Sequence, residues 1–240
     1  MKTTASAVAV TALLIFTPFH ARAQQPTKSA SADLDGDGKP DAISLQWKEG
    51  DREFVLKVGS ATLRGKAYET AVQGVTVIDI DSADKWKEVA VQMGEVESDI
   101  ESTVYGFDGK TLKELGTVRS LSEVRGNGII LSDTWMGFWN RREKYLLDRK
   151  AWKLNRVPQD FYYVGIEATV KQSFPIMRSR TDKAVVANLA QGSKILVLAS
   201  EPAGSDITHL WYLVKSSTGL MGWARSQDLA EKSEGLPFAG

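Results

Sequence analysis

The stretch Asp33-Leu34-Asp35-Gly36-Asp37-Gly38-Lys39-Pro40-Asp41, followed at once by Ala42-Ile43-Ser44-Leu45, sets the reading of the whole chain. Carboxylates stand at loop positions 1, 3, 5 and 9, two glycines permit a tight turn, and an apolar, strand-like run begins immediately afterwards. Alternate side chains on a curled loop converge on one point. Four carboxylates brought together repel one another unless a cation lies between them. A hard cation that takes six to eight oxygens at about 2.3–2.6 Å, as calcium does, suits this donor set. The expected ligands are the side chains of Asp33, Asp35, Asp37 and Asp41, with the Lys39 carbonyl at position 7. The competing reading is a solvated acidic turn, because Asp and Gly favour turns without any metal. An EF-hand needs a glutamate at position 12, where Ser44 stands, and Pro40 is unsuited to a helix leaving the loop. The loop is therefore expected to feed a strand.

A second acidic loop, Asp79-Ile80-Asp81-Ser82-Ala83-Asp84-Lys85-Trp86-Lys87-Glu88, precedes the strand-like Val89-Ala90-Val91. Its placement mirrors the first and suggests an internal repeat of roughly 45 residues, a period found in stacked β-units. Position 5 is Ala83 and position 9 is Lys87, so a second metal site would need Asp79 and Asp81 joined, through a one-residue insertion, by Asp84 and Glu88. A lysine ammonium is the alternative cation for such a loop. Glu95, Glu97, Asp99 and Glu101 alternate farther on and read as a solvated strand face or loop.

Alternation at Ile43, Leu45, Trp47 and at Phe54, Leu56, Val58 predicts a hairpin turning at Gly50-Asp51. Tyr105-Gly106-Phe107-Asp108-Gly109-Lys110 predicts a strand ending in an Asp-Gly turn. A third unit is expected from Val124, closing with a hairpin that turns at Arg149-Lys150. Trp135, Phe138, Trp139 and Trp152 form an aromatic group that suits a packed core better than a sugar-stacking platform.

The 240 residues suffice for one or two domains with cores, and 30 basic against 30 acidic residues give no reason to expect nucleic acid or an anionic membrane as partner. There is no cysteine, which removes disulfides, thiolate nucleophiles and zinc–sulfur sites. Residues 1–23 have the pattern of a secretory signal peptide: Lys2, an apolar run from Ala5 to Phe16, Pro18, and the A-x-A site Ala21-Arg22-Ala23. The apolar run is too short to span a membrane. Cleavage would take away Lys2 and Arg22, leaving 28 basic against 30 acidic residues, and His209 as the only histidine. The mature chain is expected in the periplasm or outside the cell, without membrane insertion, with a flexible start over 24–32.

The pattern Asp-x-Asp-Gly-Asp-Gly-x-x-Asp-x-Ile at 33–43 resembles the calcium loops of FG-GAP/VCBS-type repeats, the β-units of integrin-α-like propellers and of many exported bacterial proteins. The resemblance implies calcium and small antiparallel sheets, closely over Asp33–Asp41 and loosely to about residue 160. Seven blades would need far more chain, so a truncated fan or compact β-domain is expected over 33–160.

Residues 166–232 resemble a bacterial SH3 (SH3b) domain. Ala168-Thr169-Val170, Met177-Arg178-Ser179, Val185–Leu189 with Gln191-Gly192, Lys194–Leu198, Trp211-Tyr212-Leu213-Val214 and Gly222-Trp223-Ala224 carry the likeness. Pro175-Ile176-Met177-Arg178 replaces the usual Leu-Asn-Val-Arg, and Arg180 replaces a glycine. The resemblance implies a small barrel, a groove with Trp211, Tyr212 and Trp223 as ligand-binding candidates, and peptidoglycan or an envelope protein as partner. Residues 233–240 are left as a tail.

The fold expected is all-β: a blade-like antiparallel domain followed by an SH3-like barrel. The function expected is non-catalytic envelope binding, with a purely structural protein or a carbohydrate binder as alternatives. Paired acids such as Asp133, or Glu95 with Asp99, could in principle hydrolyse glycosides. No nucleophile elbow, phosphate loop or dinucleotide fingerprint accompanies them.

Overall fold

A computed structural model describes residues 26–67, 71–95, 99–182, 184–202 and 209–238. The expected leader, Glu97 and most of the loop before His209 lie outside these. The chain is all-β and antiparallel, with one short helix.

Three four-stranded meanders come first. The first holds β1 (Ser29–Ala32), β2 (Asp41–Gln46), β3 (Glu53–Val58) and β4 (Ala61–Lys66), paired in that order. The second holds β5 (Val72–Ile78), β6 (Glu88–Met93), β7 (Glu101–Phe107) and β8 (Leu112–Val118). The third holds β9 (Glu123–Val124), β10 (Ile129–Trp135), β11 (Asn140–Asp148) and β12 (Lys153–Val157). The flexible start expected over 24–32 is corrected in its described part. β1 pairs with β2, and Thr27 exchanges backbone hydrogen bonds of 3.0 and 2.7 Å with Val75 of the second sheet. Backbone pairing with an open sheet edge orders this polar segment, whose small side chains bury little.

The second sheet lies between the other two. In β6, Val89 and Val91 join the core shared with the first sheet, while Ala90 joins the core shared with the third. A strand buried on both faces reads as a continuous apolar run, as Val89-Ala90-Val91 does. Leu34 and Ile80, at position 2 of the two acidic loops, are each fully buried and anchor the loops to the two cores. Truncating Leu34 to Ala is expected to cost about 2–5 kcal/mol.

The remaining strands are β13 (Tyr162–Val170), β14 (Phe174–Met177), β15 (Val185–Leu189), β16 (Lys194–Ser200), β17 (Trp211–Ser216), β18 (Met221–Arg225) and β19 (Ser233–Glu234), with α1 (Ser226–Lys232) before the last. They form one seven-stranded sheet ordered β15-β14-β18-β17-β16-β13-β19. The closed barrel expected here is not found: among the described residues β15 and β19 are two unjoined edges. The edge β19 contributes only two residues, and β14 meets β18 through the single pair Met177↔Trp223. The segment 233–234, expected in a tail, is thus part of the sheet.

The junction expected near 158–163 is where β13 begins, but the core of this last sheet reaches back across it. Met136, Phe138 and Trp139, from the β10–β11 turn, are buried with Tyr162, Tyr212, Val214 and Leu229. Phe138 packs at 5.4 Å from Tyr212 and 5.3 Å from Phe238, measured between ring centres. The core reading of these aromatics holds for Phe138 and Trp139, which are buried and offer no face to a sugar.

Candidate functional site

The first acidic loop links β1 to β2 and is folded by its own carboxylates. Asp33 accepts hydrogen bonds from the amides of Gly36 (2.8 Å), Asp37 (3.2 Å) and Gly38 (3.0 Å). Asp35 accepts from Asp37 N at 3.0 Å, and Asp37 from Lys39 N at 2.8 Å. These bonds curl the chain, so that Asp33, Asp35 and Asp37 each offer one oxygen within 4.8 Å of the other two. Oxygens on opposite sides of a shared ion at about 2.3–2.6 Å are separated by about twice that distance. The three carboxylates could therefore hold a metal ion.

Asp41, at the start of β2, accepts the Leu34 amide at 3.0 Å. Burial pushes its carboxyl above the ordinary range, and the charges of Asp35, Asp37 and Asp33 push the same way, against the Leu34 hydrogen bond. The loop concentrates negative charge at one end of the molecule. Neighbouring units close over it: Lys87 N donates to Leu34 O at 3.0 Å, and Gly36 lies against Lys85 of the second loop. A Cβ at Gly36 would fall 2.6 Å from Lys85 Cβ, so glycine is required by space as well as by its φ of +69°.

The second loop repeats this plan with different chemistry. Glu88 starts β6 as Asp41 starts β2, and it accepts the position-2 amide, Ile80 N, at 3.1 Å. The one-residue insertion weighed from the sequence thus puts Glu88 in the place of Asp41. Asp84 and Glu88, however, hold the Arg149 guanidinium, at 2.9 and 2.7 Å. Asp81 turns back to accept Ala83 N at 3.2 Å, and one oxygen of Asp79 is buried without a hydrogen bond. The grouping of Asp79, Asp81, Asp84 and Glu88 around a metal is corrected accordingly: an arginine, unseen in the sequence reading, occupies the loop.

The three groove candidates divide by strand alternation. Trp211 and Trp223 lie on the outer face of β17–β18, where Trp211 stands opposite Arg225, and Leu213 opposite Trp223. Phe161, 55% exposed, stacks on Trp223 at 6.1 Å, and the Arg180 guanidinium covers the same indole at 5.4 Å. Arg225 covers Trp211 at 5.2 Å. Tyr212 points the other way. It is buried, and its hydroxyl accepts the Trp139 indole N–H at 3.1 Å, so it is withdrawn from the groove and placed in the core. Burial pushes its phenol pKa up.

The acids weighed for catalysis are engaged otherwise. Asp133 accepts both arms of Arg142, at 2.9 and 2.8 Å, which holds its carboxyl below the usual range. Asp99 accepts Glu95 N at 2.9 Å, closing a local turn. No protein-family model and no curated protein matches the chain.

Proposed function

We propose that this is an exported, non-catalytic envelope-binding protein. In this reading calcium in the Asp33–Asp41 loop staples the stacked β-units, and the last sheet, an SH3-like module opened at its edges, offers an aromatic groove to peptidoglycan or an envelope protein. The observation that carries the binding reading is the outer face of β17–β18, where Trp211 and Trp223, backed by Phe161, stand solvent-accessible beneath Arg180 and Arg225. Aromatic faces flanked by guanidinium groups suit ligands with apolar surface and acidic or polar groups. Calcium is favoured by an all-oxygen donor set and by the high calcium that exported proteins meet.

The test is co-sedimentation of residues 24–240 with purified peptidoglycan, in calcium and in chelator, beside the variant Trp211→Ala/Trp223→Ala. Pelleting of the wild-type chain alone supports the groove. Pelleting of both, or of neither, counts against it. Dependence on calcium would tie the two modules into one binding unit.

A further inference from the structure

The two acidic loops are related by more than their order in the chain. The carbonyl of Leu34 accepts Lys87 N, which precedes β6, at 3.0 Å, and the carbonyl of Ile80 accepts Gly128 N, which precedes β10, at 2.7 Å. Each loop is therefore docked on the next unit through the same backbone bond. Each is also covered by the last turn of that next unit. Those turns share the pattern Tyr-x-x-Asp-x-Lys-x-x-Lys, at Tyr105–Lys113 and Tyr145–Lys153. Asp108 accepts Thr111 N at 2.7 Å and Asp148 accepts Ala151 N at 3.0 Å, the same turn bond in both. In this alignment Gly109 over the first loop corresponds to Arg149 over the second.

From this correspondence we infer that Arg149 is the built-in cation of the second loop, standing where an exchangeable metal stands in the first. Its Nε and Nη2 bind Asp84 and Glu88, and its guanidinium lies 5.3 Å from both the Trp86 and Trp152 ring centres. Two indoles edge to face at 6.0 Å suit a flat, weakly hydrated guanidinium, and they cannot serve a divalent ion that needs oxygens. Glu88 is fully buried, so the cation beside it must be present whenever the chain is folded. A side chain meets that need irrespective of the surrounding calcium. Gly109, having no side chain, leaves the first loop open. The chain consequently takes up one exchangeable metal, and the second loop takes none until Arg149 is removed.

The metal count for the first loop rests on the calcium reading above, so the experiment separates the two loops. Calcium stoichiometry and thermal unfolding are measured on the wild-type chain, Asp35→Asn/Asp37→Asn, and that double variant with Arg149→Ala. We expect one calcium, none, and one again, with calcium raising the melting temperature of the triple variant by about 5–10 °C at a hundredfold excess over its Kd. Calcium uptake by the double variant would overturn the assignment, because Arg149 would then not exclude metal. A triple variant unresponsive to calcium, or unable to refold in millimolar calcium, would overturn it too. A wild-type chain that binds no calcium would remove the first-loop reading alone, since the triple variant still judges Arg149.

Discussion

Gly109 lies directly over Asp35: a Cβ built on Gly109 would stand 2.5 Å from Asp35 Oδ2. The turn of the second unit therefore limits where a carboxylate of the first can go, and it does so only because no side chain intervenes. The Gly109 φ of +90° adds a backbone cost of about 1–2 kcal/mol for any other residue. Gly109→Ala should lower stability by that amount in chelator and also weaken calcium binding by about tenfold, because Asp35 must move. Gly50→Ala is the control, with a φ of +87° and nothing within 4 Å of its Cβ. It should lose stability with calcium affinity unchanged, as read by calorimetric titration of both variants.

The metal dependence has its own signature. Asparagine keeps the carbonyl oxygens that accept Asp37 N and Lys39 N but removes the charges, so Asp35→Asn/Asp37→Asn preserves the curl of the loop. In chelator the variant should be as stable as the wild-type chain or more so, because like charges have been removed. In calcium at about 100 times Kd the wild-type chain should gain about 2.7 kcal/mol and the variant nothing. Urea unfolding in the two media reads the difference. An equal response of both proteins to calcium would place the metal elsewhere.

Much of this arrangement was legible from residue spacing. The Asp33–Asp41 pattern gave the loop, its strand and its sheet, because a curl held by side chain-to-amide bonds is encoded over a few residues. The repeat was visible for the same reason, down to the insertion that puts Glu88 in the place of Asp41. Arg149 was not visible as the partner of that glutamate. The two stand 61 positions apart, and only the stacking of the second and third sheets brings them together. The fit of Phe138 and Trp139 into the last sheet's core was hidden likewise, since a boundary read from composition cannot show a turn reaching across it. The Tyr212 assignment failed on information already present. Trp211 and Tyr212 are neighbours on one strand, and neighbours on a strand face opposite sides.

That alternation makes the last sheet testable by a pair of variants. Tyr212→Phe removes the acceptor of the buried Trp139 indole N–H and should cost about 1–3 kcal/mol, while leaving the outer face intact. Trp223→Ala should change stability less, because its ring lies partly in solvent against Phe161, and should abolish retention on the envelope ligand. Urea unfolding and co-sedimentation on the same preparations separate the two effects. A Tyr212→Phe chain that is stable yet fails to bind would return Tyr212 to the groove.

The Arg149–Glu88 pair predicts a pH dependence whose sign follows from burial. Burial pushes the Glu88 carboxyl up, and the hydrogen bond and charge of Arg149 are the chief influences pulling it back down. Arg149→Ala should cost about 3–5 kcal/mol near neutral pH, because it leaves a buried carboxylate unpaired. It also removes the downward pull, so the folded protein holds the Glu88 proton well above the value of the unfolded chain. A group raised on folding contributes most at low pH, and that contribution is lost as pH rises through the folded value. The gap between Arg149→Ala and the wild-type chain should thus be widest near roughly pH 8 and close toward roughly pH 5, with urea unfolding in chelator as the measurement. Adding Glu88→Gln keeps an oxygen for Ile80 N and removes the titrating group, so the double variant should show no such slope. A slope that survives in the double variant would assign the pH dependence to another group.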